Sequence, residues 1–351
     1  MNCRVCIAPV PTVLAVCLLL GPARCRAAEP AAPPSPTADL LAGKFQWTCS
    51  PPLLAPIAPP GETCYSVKDP SVVYHDGRWH IFCTIRGQLR SHQIEYISLA
   101  DWDRAAEAKR QVLTISAEYF CAPQVFYFTP HKKWYMVLQV VDKAGQPGLR
   151  PAVATSDDLA RPDAWSKPAL LFAEKPPGVS AWIDFWVICD ETKAHLFFTS
   201  LNGQMWRAET PIARFPAGWS EPKVVLRGDI FEASHTYRLK GMDKYLTLVE
   251  AQAAGRRYYK AYLADRLDGD WRPAADTLQK PFAAPGNVRF AGEKWTDSYS
   301  HGELLRAGCD EKLEVDPARL WFLFQGVSDA EKAGKPYGQI PWRLGLLKPA
   351  T

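Results

Sequence analysis

Three acidic side chains stand in three copies of one short motif. Glu232 lies in Gly228-Asp229-Ile230-Phe231-Glu232-Ala233-Ser234-His235-Thr236-Tyr237, ahead of a turn at 240–244 and a second apolar run, Tyr245-Leu246-Thr247-Leu248-Val249. Asp69 holds the same place in Lys68-Asp69-Pro70-Ser71-Val72-Val73-Tyr74, before the turn His75-Asp76-Gly77-Arg78 and the run Trp79-His80-Ile81-Phe82-Cys83. Asp184 does so in Trp182-Ile183-Asp184-Phe185-Trp186-Val187-Ile188, before a turn at 190–193 and Ala194-His195-Leu196-Phe197-Phe198. Three carboxylates brought to one place can hydrolyse a bond by acid and base. An ionised one draws a proton from water while a protonated one supplies a proton to the leaving oxygen. Where a glycosidic bond is cut with inversion, the two lie about 6.5–9.5 Å apart so that the water fits between them. A third acid tunes the others by repulsion and keeps the acid protonated. Apolar Ile230 and Phe231 suit Glu232 to the acid role. Asp69, beside Lys68 at a solvent-facing strand head, takes the base, and Asp184 becomes the modulator. Calcium binding or turn capping accounts for one such acid more readily than for three in register.

Bringing them together requires a repeat. Five hairpins can be counted, with first strands near Asp69, Ala122, Asp184, Glu232 and His301, each followed by a turn and an aromatic-rich partner strand. Between them come further short strands that lead to turns closed by tryptophan, at Trp165, Trp219 and Trp271. A self-similar unit of roughly 50–70 residues with about four strands is the mark of a propeller blade. We therefore expect an all-β, single-domain, five-bladed β-propeller over residues 44–351. The head of each first strand then faces one end of the central channel. That places Asp69, Asp184 and Glu232 in one pocket, with His301 and Gln124 from the other two blades close to the axis.

Composition narrows the function classes. The 351 residues are 47% hydrophobic and 22% charged, as in a globular protein. Residues 1–27 read as a signal peptide: Arg4, an apolar stretch at 12–20, then small residues around Cys25-Arg26-Ala27-Ala28. The stretch is too short for a membrane anchor, so the mature chain is expected in the periplasm or outside the cell. Residues 28–43 read as a proline-rich disordered leader. Losing residues 1–27 removes three arginines and no acid, which leaves a near-neutral chain. Nothing in that balance calls for nucleic acid or an anionic membrane as partner. The expected partner is a polysaccharide, and the expected state a monomer. Six cysteines remain, none spaced Cys-x-x-Cys, which argues against a zinc site. Cys83 and Cys189 lie in apolar runs and read as buried thiols. Cys49 and Cys64 flank a proline-rich loop, and a bridge between them is left open.

The chain resembles glycoside hydrolase family 62, the α-L-arabinofuranosidases that trim arabinoxylan, from Phe45-Gln46-Trp47 to Arg343-Leu344-Gly345-Leu346-Leu347. The resemblance is carried by Val67-Lys68-Asp69, Ala122-Pro123-Gln124-Val125-Phe126-Tyr127-Phe128, Ile183-Asp184 and Phe231-Glu232-Ala233. It continues through Val249-Glu250-Ala251, Arg257-Tyr258-Tyr259, Trp295-Thr296-Asp297, Ser300-His301-Gly302-Glu303 and Ile340-Pro341-Trp342-Arg343. It implies a five-bladed propeller and an inverting mechanism, with Asp69 as base, Asp184 as pKa modulator and Glu232 as acid. It also implies a calcium ion in the central channel, held largely by His301 and waters. On the residues alone, a lone histidine in Ser-His-Gly reads first as a core or turn residue. Lys68 is expected to contact the arabinose and Tyr337 to line the cleft, with Gln124 and Gln139 as further substrate contacts. Two features depart from the family. The cysteines that commonly tie the domain start to its final blade are missing at 41–44 and 316–319. The family's Gln-Trp is Gln139-Val140 here, so one indole that could stack on sugar is absent.

Overall fold

A computed structural model describes residues 1, 35–58, 61–141 and 148–350. The signal peptide read at 1–27, Met1 apart, and the first part of the leader read at 28–43 lie outside these. The leader's boundary is corrected. Pro36–Leu41 is a helical turn whose N-cap Ser35 accepts the Ala38 N–H, and Leu40 is buried in the core. Capping at Ser35 and burial of one leucine suffice to fix it.

From Trp47 onward the chain is five β-sheets of four or five strands. The sheets start on the strands Cys64–His75, Phe120–Phe128, Ile183–Cys189, Glu232–Leu239 and Ser298–Leu304, here called the inner strands of blades 1 to 5. Each inner strand packs on the inner strands of its two neighbours, and blade 5 packs on blade 1 to close the ring. This is the expected five-bladed propeller. Enclosed on both faces, the inner strands are built of continuous buried runs such as Val72-Val73 and Val125-Phe126 rather than alternating ones.

Local chemistry sets the hairpins. In blade 1 the turn is Asp76-Gly77, with φ of 47° and 74°. Positive φ at both central residues is what a two-residue type I′ turn needs, and Asp-Gly supplies it at low strain. Ring closure uses hydrogen bonds in place of the missing cysteines. Trp47–Cys49, at the chain start, pairs antiparallel with Arg343–Pro349 at its end, inside blade 5. Among the described residues all six cysteines are free, so Cys49 and Cys64 do not pair. Cys83 and Cys189 are buried thiols, as their apolar runs imply.

Candidate active site

Every inner strand breaks register with its partner at the same point. The breaks fall between Lys68 and Ser71, Cys121 and Gln124, Ile183 and Trp186, Glu232 and Ser234, and Ser300 and Gly302. The bulged residues are Asp69, Ala122, Asp184, Ala233 and His301. The first four sit at φ of 47–57°. A bulge turns a side chain away from the ladder and leaves an amide unpaired. In blades 1, 3 and 5 the bulge carries Asp69, Asp184 and His301 to one place. His301 Nδ1 lies 3.5 Å from Asp69 Oδ1 and 3.8 Å from Asp184 Oδ1, with all three side chains buried.

Two details correct the sequence reading. Asp69 is not at a solvent-facing strand head, because its strand starts five residues earlier at Cys64 and its side chain is buried. Glu232 is not in register with the two aspartates. It precedes the bulge, in the position of Lys68, and its side chain stays 14% exposed.

The freed amides show how the site is held. The N–H of Asp69 donates to Gln325 Oε1 at 2.7 Å, that of Ala122 to Thr84 Oγ1 at 2.8 Å, that of Asp184 to Gln139 Oε1 at 2.8 Å and that of His301 to Glu250 Oε2 at 2.8 Å. Each acceptor is on the second strand of the preceding blade. In blade 3 the equivalent residue is Thr199, opposite Ile183, and its buried hydroxyl has no partner. There the Ala233 N–H goes to Asp184 Oδ2 instead, at 2.9 Å. One Asp184 oxygen is therefore spent on the backbone that carries Glu232.

Gln124 and Gln139, expected at the sugar, are committed elsewhere. Gln124 is buried and bridges blades 2 and 3, donating to the Val187 carbonyl and accepting the Val187 N–H, both at 2.7 Å. Gln139 is the acceptor that fixes Asp184. Lys68 and Tyr337 do reach the site mouth. Lys68 Nζ lies 3.7 Å from Asp69 Oδ2 and 5.3 Å from the Tyr337 ring centroid, and Tyr337 is half exposed.

Sequence reasoning assigned no role to Arg257 or Glu250. Arg257 Nη1 lies 3.1 Å from Glu232 Oε1 and 2.9 Å from Glu250 Oε1, and its guanidinium stacks on Phe231 at 3.7 Å. Glu250 is fully buried and also accepts from Ser300 Oγ and the His301 N–H. The signal that could have found it is its place opposite Glu232 in the adjacent strand.

The electrostatics separate the acids. Burial works to raise Asp69, but the charges of Lys68 and His301 outweigh it and hold its pKa below the ordinary value. Burial raises Asp184, with the Asp69 charge adding to it against His301. Burial, then Glu250 and Asp184, push Glu232 well above a normal glutamate, with Arg257 and Lys68 opposing. Burial also works against the Lys68 ammonium, yet Asp69 and its other neighbours raise its pKa overall and keep it charged. One carboxylate is set to be ionised and another to hold a proton. That is the division an acid–base pair requires.

Calcium takes six to eight oxygen ligands. Among the described residues no three His, Cys, Asp or Glu side chains form a group able to hold a metal. His301 supplies nitrogen, and its Nδ1 faces two carboxylates. The described side chains supply no cage of their own, so an ion held by His301 and waters would draw most of its ligands from solvent, and no catalytic step is assigned to it.

Comparison with known proteins shows which family the chain resembles along its length. The family model for glycosyl hydrolase family 62 matches residues 46–348. Alpha-L-arabinofuranosidase C of Cellvibrio japonicus is 39% identical over 322 residues, which cover 90% of this chain and 48% of that protein. The chain thus spans about half the length of the curated relative it matches. The catalytic domain of the Coprinopsis cinerea GH62 α-L-arabinofuranosidase superposes with a TM-score of 0.81 at 37% identity, covering 88% of this chain and 98% of that one. A GH62 hydrolase solved in complex with xylotriose gives 0.79 at 35% identity, over 86% of this chain and 97% of that one. The chain belongs to glycosyl hydrolase family 62.

Proposed function

We propose that the chain is an exported α-L-arabinofuranosidase that removes arabinofuranosyl side chains from arabinoxylan with inversion. The observation that carries the reading is the split between Asp69, held ionised beside Lys68 and His301, and Glu232, held protonated beside Glu250. Asp69 takes a proton from a water molecule, whose oxygen attacks the anomeric carbon. The bond from that carbon to the xylan oxygen breaks, and Glu232 passes its proton to the leaving oxygen. Asp184 holds the Glu232 backbone and repels its ionised form. Lys68 hydrogen-bonds the arabinose, and Tyr337 offers its ring to the xylan chain. The names of the relatives support the arabinofuranoside, and the xylotriose bound to one of them supports a xylan acceptor. Export rests on the N-terminal charge and apolar pattern, and a monomer is the working state expected of it.

The test is arabinose release from wheat arabinoxylan, linear arabinan and an aryl arabinofuranoside, followed by proton NMR. Release from arabinoxylan, with the β-anomer appearing first, is the expected result. Release from linear arabinan alone would make the chain an arabinanase. The α-anomer first would make the mechanism a retaining one.

A further inference from the structure

Two half-buried rings, His92 and Tyr119, stand beside the base at the mouth of the channel. His92 ends the loop 88–92, between the second strand of blade 1, Arg78–Gly87, and the third, Gln93–Leu99. Gly87 pairs with Cys64, where the inner strand begins, so the loop lies at the end of the blade that carries Asp69. Tyr119 comes directly before Phe120, the first residue of the inner strand of blade 2, and close to the bulge at Ala122. The two rings meet at 4.6 Å between centroids, tilted by 46°. The Asp69 charge reaches both.

A chain of hydrogen bonds runs from Asp184 to Tyr119 with every donor pointing the same way. The Asp184 N–H donates to Gln139 Oε1 at 2.8 Å, Gln139 Nε2 donates to Cys121 Sγ at 3.5 Å, and the Cys121 thiol donates to the Tyr119 hydroxyl oxygen at 3.2 Å. The last proton of the chain is that of the Tyr119 hydroxyl, and among the described residues it has no acceptor. Burial, then Cys121, raises the Tyr119 pKa, so the proton stays. The His92 ring is in the complementary state. Burial and Lys68 push it down to about 3 against the pull of Asp69, so the imidazole is neutral. Its Nδ1 lies 2.8 Å from Ser91 Oγ. With the Nδ1 proton on that bond, Nε2 keeps a lone pair, and among the described residues it too has no partner.

A sugar hydroxyl satisfies such a pair, because it accepts one bond and donates another. In an inverting reaction the water comes from the face of the base, and the leaving oxygen departs on the face of the acid. Groups beside Asp69 therefore meet the arabinose and not the xylan oxygen it leaves. Given the arabinofuranosidase activity proposed above, we infer that Tyr119 and His92 hold one hydroxyl of the arabinose, the Tyr119 hydroxyl donating to it and His92 Nε2 accepting from it. The pair then joins Lys68 in setting which sugar fits beside the base.

Steady-state kinetics of the full chain on an aryl arabinofuranoside and on arabinoxylan decide it. Tyr119→Phe and His92→Phe should each raise KM by about three- to tenfold on both substrates, the effect of one lost hydrogen bond, with kcat within about twofold. His92→Gln keeps a polar atom near the place of Nε2 and should lose less than His92→Phe. The two sites are probed separately, so one variant serves if the other does not fold. An unchanged KM in both phenylalanine variants, or a rise confined to arabinoxylan, would overturn the inference. A fall in kcat with KM unchanged in Tyr119→Phe would do so too, because the ring would then act through Cys121 and Gln139 on Asp184. A parent chain that releases arabinose from neither substrate would instead defeat the arabinofuranosidase reading itself.

Discussion

Asp184 accepts the Ala233 backbone N–H at 2.9 Å, so a carboxylate in blade 3 fixes the residue next to Glu232 in blade 4. That bond is made possible by a bulge in each strand, and it gives Asp184 two separable duties: it holds backbone, and it repels the ionised form of Glu232. Asp184→Asn keeps an acceptor and loses the charge, whereas Asp184→Ala loses both. Both should lower kcat/KM by about 10²-fold or more, the scale of acid–base contributions. Only the alanine variant leaves a buried N–H unpaired, so it should unfold with about 1–3 kcal/mol less stability than the asparagine variant. Equal stability in urea melts would remove the backbone role.

Glu250 is one of the groups that raise Glu232, after burial itself, and Arg257 opposes it. Glu250→Gln deletes the repulsion and leaves Arg257 to pair with Glu232 alone. A carboxyl whose raised pKa falls sheds its proton at lower pH, so the alkaline limb of the kcat/KM profile should move to lower pH. Arg257→Met should move it the other way. A limb that stays in place in both variants would show that another group supplies the proton.

Much of this arrangement was legible in the sequence, because the hairpin repeat leaves a visible rhythm. Asp76-Gly77 announces its turn, and the apolar runs around Val72 and Phe126 announce enclosed strands. The bulges were not legible. Glycine usually marks such places, but here they are occupied by Asp69, Ala122, Asp184, Ala233 and His301. Without them Glu232 aligns with Asp69, when its true counterpart is Lys68. The roles of Gln124 and Gln139 were hidden for another reason. Their partners, Val187 and Asp184, belong to a different blade, and no spacing along the chain encodes that contact.

Deep in the channel, burial pushes Glu303 up to about 7 against the pull of Arg306. Its folded pKa is raised above the model-peptide value of 4.5, so the stability it contributes is present below pH 4.5 and lost as pH rises toward 7. The loss should amount to about 3 kcal/mol. Glu303→Gln should flatten that part of the stability profile. An unchanged slope in denaturant titrations from pH 4.5 to 7 would show that Glu303 is already ionised in the fold.

The proton that frees the xylan oxygen is assigned to Glu232, and leaving-group dependence tests that assignment most directly. A dinitrophenolate leaves without help, while the sugar oxygen of a polysaccharide needs a proton. Glu232→Gln should therefore lose about 10²–10⁴-fold in kcat on arabinoxylan, yet keep within about tenfold of the parent rate on a dinitrophenyl arabinofuranoside. Losses of equal size on both substrates would contradict the assignment.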